Sequence, residues 1–135
     1  MLAVVDAGPL YATADADDQD HEACRNVLAR ADLRLIIAAL AVAEATYFVG
    51  RRLGSNAEAA FLRGLENMDV EGPTADDFTR MAQLVETYAD FPLGGTDASV
   101  IALAERTEAE IVITLDRRHF AAVQPSHRQA FQLLP

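Results

Sequence analysis

Short continuous apolar runs alternate along the chain with stretches whose apolar residues have helical spacing, and that alternation predicts the architecture. Leu2 to Val5 is a short β-rich apolar run halted by Asp6-Ala7-Gly8-Pro9, so a strand gives way to a helix there. The acidic stretch Asp15 to Asp20 leads into His21 to Arg30, where Ala23, Val27 and Leu28 are spaced for one helical face. Arg34 to Ala38 reads as a second strand, and Ala39 to Leu53 as a long, mostly apolar helix closed by Gly54. Ser55-Asn56-Ala57-Glu58 has the form of a capping box, which predicts another helix in a hairpin with the preceding one. A short strand over Met68 to Glu71 ends at Gly72-Pro73, and Thr74 with Asp77 marks a helix running to about Tyr88. Gly94-Gly95-Thr96 introduces a helix over Asp97 to Arg106. Ile111 to Thr114 is β-branched and reads as a buried strand, with Phe131 to Leu134 as a last edge strand.

Strands alternating with helices predict an α/β fold: a parallel or mostly parallel sheet of about four to five strands flanked by helices. The length of 135 residues, with no repeat, linker or low-complexity tract, fits a single domain over residues 1–135. No apolar run reaches the roughly 18 to 20 residues of a membrane span, and the N-terminus lacks the basic flank and cleavage site of a secretory signal. One cysteine, Cys24, fits a reducing compartment, so a cytoplasmic location is expected.

Charge complicates any nucleic-acid reading. The 21 acids and 11 bases leave a formal net charge of −10, the wrong sign for binding through a broad basic surface. All 11 bases are arginine, which removes chemistry that needs a lysine, including that of response-regulator receivers. A haloacid-dehalogenase-type phosphatase needs a second Asp two residues after the first, where this chain has Gly8.

In open α/β sheets ligands bind beyond the carboxyl ends of the strands. Asp6 and Asp116 both follow predicted strands and so share that edge. Each also has a simpler reading: Asp6 and Asp116 as helix caps, Asp97 as a helix-start acid favoured by the helix dipole. Glu44 is the hardest to explain structurally, because Ala38 to Val49 surrounds it with small or apolar residues. Partial desolvation there requires a cation, an arginine or a functional reason; the structural readings are an ion pair with Arg51 or Arg52, or a solvent-facing helix position. As a set the four acids repel one another unless cations are present, and hard oxygen ligands suit Mg²⁺ or Mn²⁺. His21 and Cys24 supply too few ligands for zinc. Asp15, Asp17, Asp18 and Asp20 read as a solvated loop, Asp76 and Asp77 as first-turn acids, and the aromatics as core residues rather than a stacking platform.

Four segments together resemble a known family: Val4-Val5-Asp6-Ala7-Gly8-Pro9-Leu10, Ala43-Glu44-Ala45, Leu93-Gly94-Gly95-Thr96-Asp97-Ala98-Ser99, and Thr114-Leu115-Asp116-Arg117-Arg118-His119-Phe120. They resemble the PIN-domain ribonucleases of the VapC toxin family over nearly the whole chain. The resemblance implies a PIN-like fold and a divalent-metal site of Asp6, Glu44, Asp97 and Asp116. It further implies hydrolysis of tRNA- or rRNA-class phosphodiesters to 5′-phosphate and 3′-hydroxyl ends, homodimerisation, and inhibition by a VapB-type antitoxin. Thr114, Arg117 and Arg118 are the expected substrate-side residues, the arginines suiting phosphate contacts. The one departure is Ala7, where many relatives carry a hydroxyl residue after the first Asp. The alternative is a catalytically silent PIN scaffold that binds RNA or a protein.

Overall fold

The computed structural model describes residues 1–135. Five strands form one sheet in the order β3-β2-β1-β4-β5, every pair parallel: β1 (Leu2–Val5), β2 (Arg34–Ala38), β3 (Val70–Glu71), β4 (Ile111–Ile113) and β5 (Gln132–Leu134). Seven helices connect and cover them: α1 (Ala7–Ala14), α2 (His21–Leu28), α3 (Ala39–Leu53), α4 (Ser55–Gly64), α5 (Ala75–Thr87), α6 (Gly95–Thr107) and α7 (Arg117–Ala122). Helices on a parallel sheet bury both of its faces, and Ala3, Val4, Val5, Ile111, Val112 and Ile113 are accordingly 0% exposed. α6 is buried from Ala98 to Ala104. A helix apolar all round belongs between layers, and α6 packs against α5, α3 and the central strands.

The sheet order carries the functional geometry. From β1 the chain runs outward through β2 and β3, then crosses back to β4 and β5 on the other side. β1 and β4 are therefore the topological switch point, where diverging connections open a crevice beyond the strand ends. Val5 pairs with Ile113, so Asp6 and Thr114 leave the sheet side by side. The Asp6 N–H extends the ladder by donating to the Ile113 carbonyl at 3.0 Å.

The elements follow the sequence reading except at some boundaries. β3 spans only Val70–Glu71, shorter than expected, although the Ile37 N–H still donates to the Asp69 carbonyl at 2.8 Å. The capping box expected at Ser55 does not form. α4 begins directly at Ser55, with Gly54 before it at φ 92°, ψ 174°, and no side chain caps it. Glu58 turns away from the helix start and accepts from the Thr46 hydroxyl at 2.8 Å, fastening α4 to α3. A side chain at Gly54 would be strained in this backbone region, so Gly54→Ala is expected to cost on the order of 1–3 kcal/mol in denaturant unfolding. The box at Thr74 is present: Thr74 accepts from the Asp77 N–H at 3.1 Å and donates its own N–H to Asp77 at 3.0 Å. Asp77 is more than a first-turn acid, for it is buried and pairs with Arg106 at 3.0 Å across to α6.

Candidate metal centre

Asp6, at the end of β1, is only 5% exposed. It stands at the start of α1 but does not cap it. Its Oδ2 instead accepts from the Thr114 hydroxyl at 2.8 Å, and the Thr114 Oγ1 accepts from the Asp116 N–H at 2.9 Å. One fully buried hydroxyl thus ties the first acid to the loop carrying the last. This corrects the expected role of Thr114: with no exposed surface it braces the site rather than contacting substrate.

Asp116 has the capping role and a place in the cluster at once. It is the N-cap of α7, with Oδ1 accepting from the His119 N–H at 3.2 Å and Oδ2 paired with His119 Nδ1. Asp97 projects from the first turn of α6 and is half-buried. Ligand atoms of Asp97, Asp116 and His119 all lie within 4.8 Å of one another. His119 is the residue that sequence reasoning missed. It lies one helical turn after Asp116, a spacing that brings two side chains together once Asp116 is recognised as a cap.

Glu44 approaches from α3, near enough for charge to act between it and both Asp6 and Asp97, but neither Glu44 nor Asp6 belongs to the close group of Asp97, Asp116 and His119. That helix buries Ala41, Ala45 and Val49 at helical spacing, and Glu44 sits beside this stripe, exposed rather than enclosed. It forms no ion pair with Arg51 or Arg52. Side-chain capping by Asp6 and ion pairing by Glu44 are therefore absent, while the solvent-facing helix position is the one Glu44 occupies.

Electrostatics tie the acids together. Burial pushes the Asp6 carboxyl up to about 6, and the charges of Asp97 and Asp116 push in the same direction. Asp97 is raised by desolvation and then by Asp116, with His119 opposing. Glu44 is raised by partial desolvation and by the charge of Asp6. Mutual repulsion of this kind favours protonation, or a cation that neutralises the group. The donors are predominantly carboxylate oxygens, a set that fits a hard divalent ion such as Mg²⁺ or Mn²⁺ better than zinc. His21 and Cys24 form no rival centre: His21 Nδ1 meets the Ala12 carbonyl at 2.8 Å and Cys24 is buried.

The two arginines at the rim are exposed and carry no carboxylate partner. Arg117 donates to the Pro135 carbonyl at 2.7 Å, and Arg118 lies 5.2 Å above the Phe91 ring. Both guanidinium groups keep N–H donors that these contacts do not consume.

The family model for the PIN domain matches residues 3–124. Over 134 residues, 98% of this chain and 99% of the relative, the sequence is 33% identical to Ribonuclease VapC26 of Mycobacterium tuberculosis. Among solved structures, VapC20 of Mycobacterium tuberculosis, described as a Sarcin-Ricin loop cleaving toxin, is similar with a TM-score of 0.74 and 18% identity over 82% of this chain and 86% of that one. VapBC2 of Rickettsia felis, bound to a DNA fragment from its promoter, gives a TM-score of 0.75 and 12% identity with 100% of each chain covered. With the similarity to a VapC ribonuclease running the length of both chains and the domain match spanning nearly all of this one, the protein belongs to the PIN-domain family, in its VapC branch.

Proposed function

We propose that the protein is a divalent-metal-dependent endoribonuclease, the toxin of a VapBC-type pair, with Asp6, Glu44, Asp97 and Asp116 as its metal ligands. What supports this reading is the cluster of Asp97 and Asp116 with His119, joined to Asp6 through the Thr114 hydroxyl and flanked by Glu44, whose charge and those of Asp6 and Asp97 act on one another. Bound there, Mg²⁺ or Mn²⁺ would supply the Lewis acidity that activates water and offsets charge on the leaving 3′ oxygen. The protein's own contribution is orientation. Thr114 fixes Asp6 against the Asp116 backbone, and His119 holds one oxygen of Asp116, so the cluster is braced before any ion arrives. Arg117 and Arg118 stand at the rim, where they would meet phosphates flanking the cut. An anionic protein binds RNA weakly outside the site, which leaves affinity to the ion and a few arginines.

Incubation with labelled structured RNA and increasing Mn²⁺ or Mg²⁺ tests the reading. Cleavage that starts from zero in EDTA, rises with metal and leaves 5′-phosphate ends is expected. Metal-independent cutting, or none under any condition, contradicts it. Thr114→Val removes the shared hydroxyl while keeping its shape. It is expected to weaken Mn²⁺ binding by about 10- to 100-fold in calorimetry, the usual size of an outer-shell effect.

The antitoxin has a physically suitable seat. An apolar groove of about 490 Å³ is bordered by α1, α2 and α4, with Leu10, Leu28, Leu35, Phe61, Leu65 and Met68 among its lining residues. Such a groove takes an amphipathic segment of a partner. Ala60 lines it and is exposed, so Ala60→Arg would fill the groove without disturbing the core. Antitoxin binding is expected to weaken at least about 30-fold, as for loss of an interface hot spot, with RNA cleavage by the free toxin unchanged.

A further inference from the structure

A second, smaller cavity of about 200 Å³ adjoins the acids, between α1 and α3. Glu44 belongs to its wall, and Ala7 and Leu115, the neighbours of Asp6 and Asp116, form its floor. What distinguishes this cavity from the metal centre is its far wall. Tyr11, Phe48 and Arg52 meet there, with the Arg52 guanidinium carbon 5.1 Å from the Tyr11 ring centre and 4.7 Å from that of Phe48. The Tyr11 hydroxyl is already engaged, donating to Asp15 Oδ2 at 2.7 Å. Arg52 makes no direct ion pair; its guanidinium rests against the aromatic rings, near enough to the Tyr11 hydroxyl and Asp15 to act on both, and lines the cavity. The acidic contribution comes from Asp18 and Glu44.

Planar π surfaces beside an unpaired guanidinium are the means by which proteins hold unstacked bases of single-stranded RNA. Carboxylates in the same wall accept hydrogen bonds, which suits a base edge carrying N–H groups. Asp18 and Glu44 repel phosphate. We propose that this cavity is a nucleobase subsite, holding one base next to the scissile phosphate against Tyr11, Phe48 and Arg52. The assignment rests on the ribonuclease reading for its place in catalysis, but not for binding itself. It makes Phe48 and Arg52 residues that set which RNA position is cut. The set was invisible along the chain, because Tyr11 lies in the first helix and Phe48 and Arg52 in the third, where Phe48 reads as a core residue and Arg52 as a candidate partner of Glu44.

Two measurements test it. In the first, guanosine and inorganic phosphate are added separately to metal-free protein at millimolar concentration, and the aromatic proton resonances of Tyr11 and Phe48 are followed by NMR. Guanosine is expected to shift both rings by stacking, and phosphate to leave them unmoved; Phe48→Ala should remove the guanosine-induced shift at Tyr11. Silent rings with guanosine, equal shifts with phosphate, or an undiminished Tyr11 response in Phe48→Ala overturn the subsite. In the second, a randomised single-stranded RNA pool is cut with Mn²⁺ present and the new ends are sequenced. Wild type is expected to show a base preference at one position beside the cut, and Phe48→Ala and Arg52→Ala to flatten it at least about fivefold there while cutting continues. A preference preserved in both variants overturns the base assignment, and so does a uniform loss at every position with a shallower salt dependence, which marks Arg52 as a phosphate contact. Guanosine binding without RNA cleavage by wild type would instead leave the cavity as a nucleoside site and remove the nuclease reading.

Discussion

Asp6→Asn is expected to reduce RNA cleavage at least about a hundredfold, beyond the usual effect of losing a group outside the ligand shell. Asn keeps the size of the side chain and an oxygen to accept from the Thr114 hydroxyl, so the brace at 2.8 Å can persist. What disappears is one negative charge at the most buried of the four acids. Titration of Mn²⁺ by calorimetry or electron paramagnetic resonance should show weaker binding in parallel with the lost activity. A variant that cuts as fast as wild type would show that the site has been misassigned.

The second large effect concerns stability without metal. In the unfolded chain Asp6 ionises near its ordinary value of 3.8, whereas in the folded protein burial holds it protonated up to about 6. Between these values the folded state binds more protons, so the Asp6 contribution falls as pH rises through the window and is flat above it. The shift corresponds to about 3 kcal/mol. Asp97 and Glu44 are raised as well and act in the same direction. Other carboxylates, such as Asp32 and Glu105, are lowered by arginine partners and oppose this trend, so the comparison must isolate Asp6. In EDTA, Asp6→Asn should match wild type near pH 4 and exceed it by about 3 kcal/mol at pH 7 in urea unfolding. Saturating Mn²⁺ at pH 7 should reverse the order by stabilising wild type alone. Equal stability of the two proteins across the pH range would contradict the burial argument.

The legible parts of this protein were those set by local pattern. Continuous β-branched and apolar runs at Leu2 to Val5 and Ile111 to Thr114 predict buried strands, and their parallel pairing places Asp6 and Thr114 together. Asp97 and Asp116 were legible as helix-start acids, and Asp116 does cap α7 while standing beside Asp97. Less legible was what tertiary packing decides. Glu44 has apolar neighbours in sequence, yet the buried stripe of α3 runs beside it and leaves it exposed. Ser55 and Glu58 match a capping pattern, but the reversal at Gly54 sends Glu58 to Thr46 instead. Thr114 carries the right side chain for a substrate contact and is closed in by the sheet. The approach of His119 to Asp97 and the meeting of Tyr11 with Arg52 and Phe48 join side chains across elements, which no single-segment pattern encodes, although the His119–Asp116 pair itself is local.

The most direct test is diffraction from crystals soaked in Mn²⁺, with data collected at the manganese absorption edge. An anomalous peak bounded by carboxylate oxygens of Asp6, Glu44, Asp97 and Asp116, and lost in Asp6→Asn crystals, is the predicted result. Saturating Mn²⁺ with no peak among these four side chains, or a peak only at the Asp15 to Asp20 loop, would contradict it.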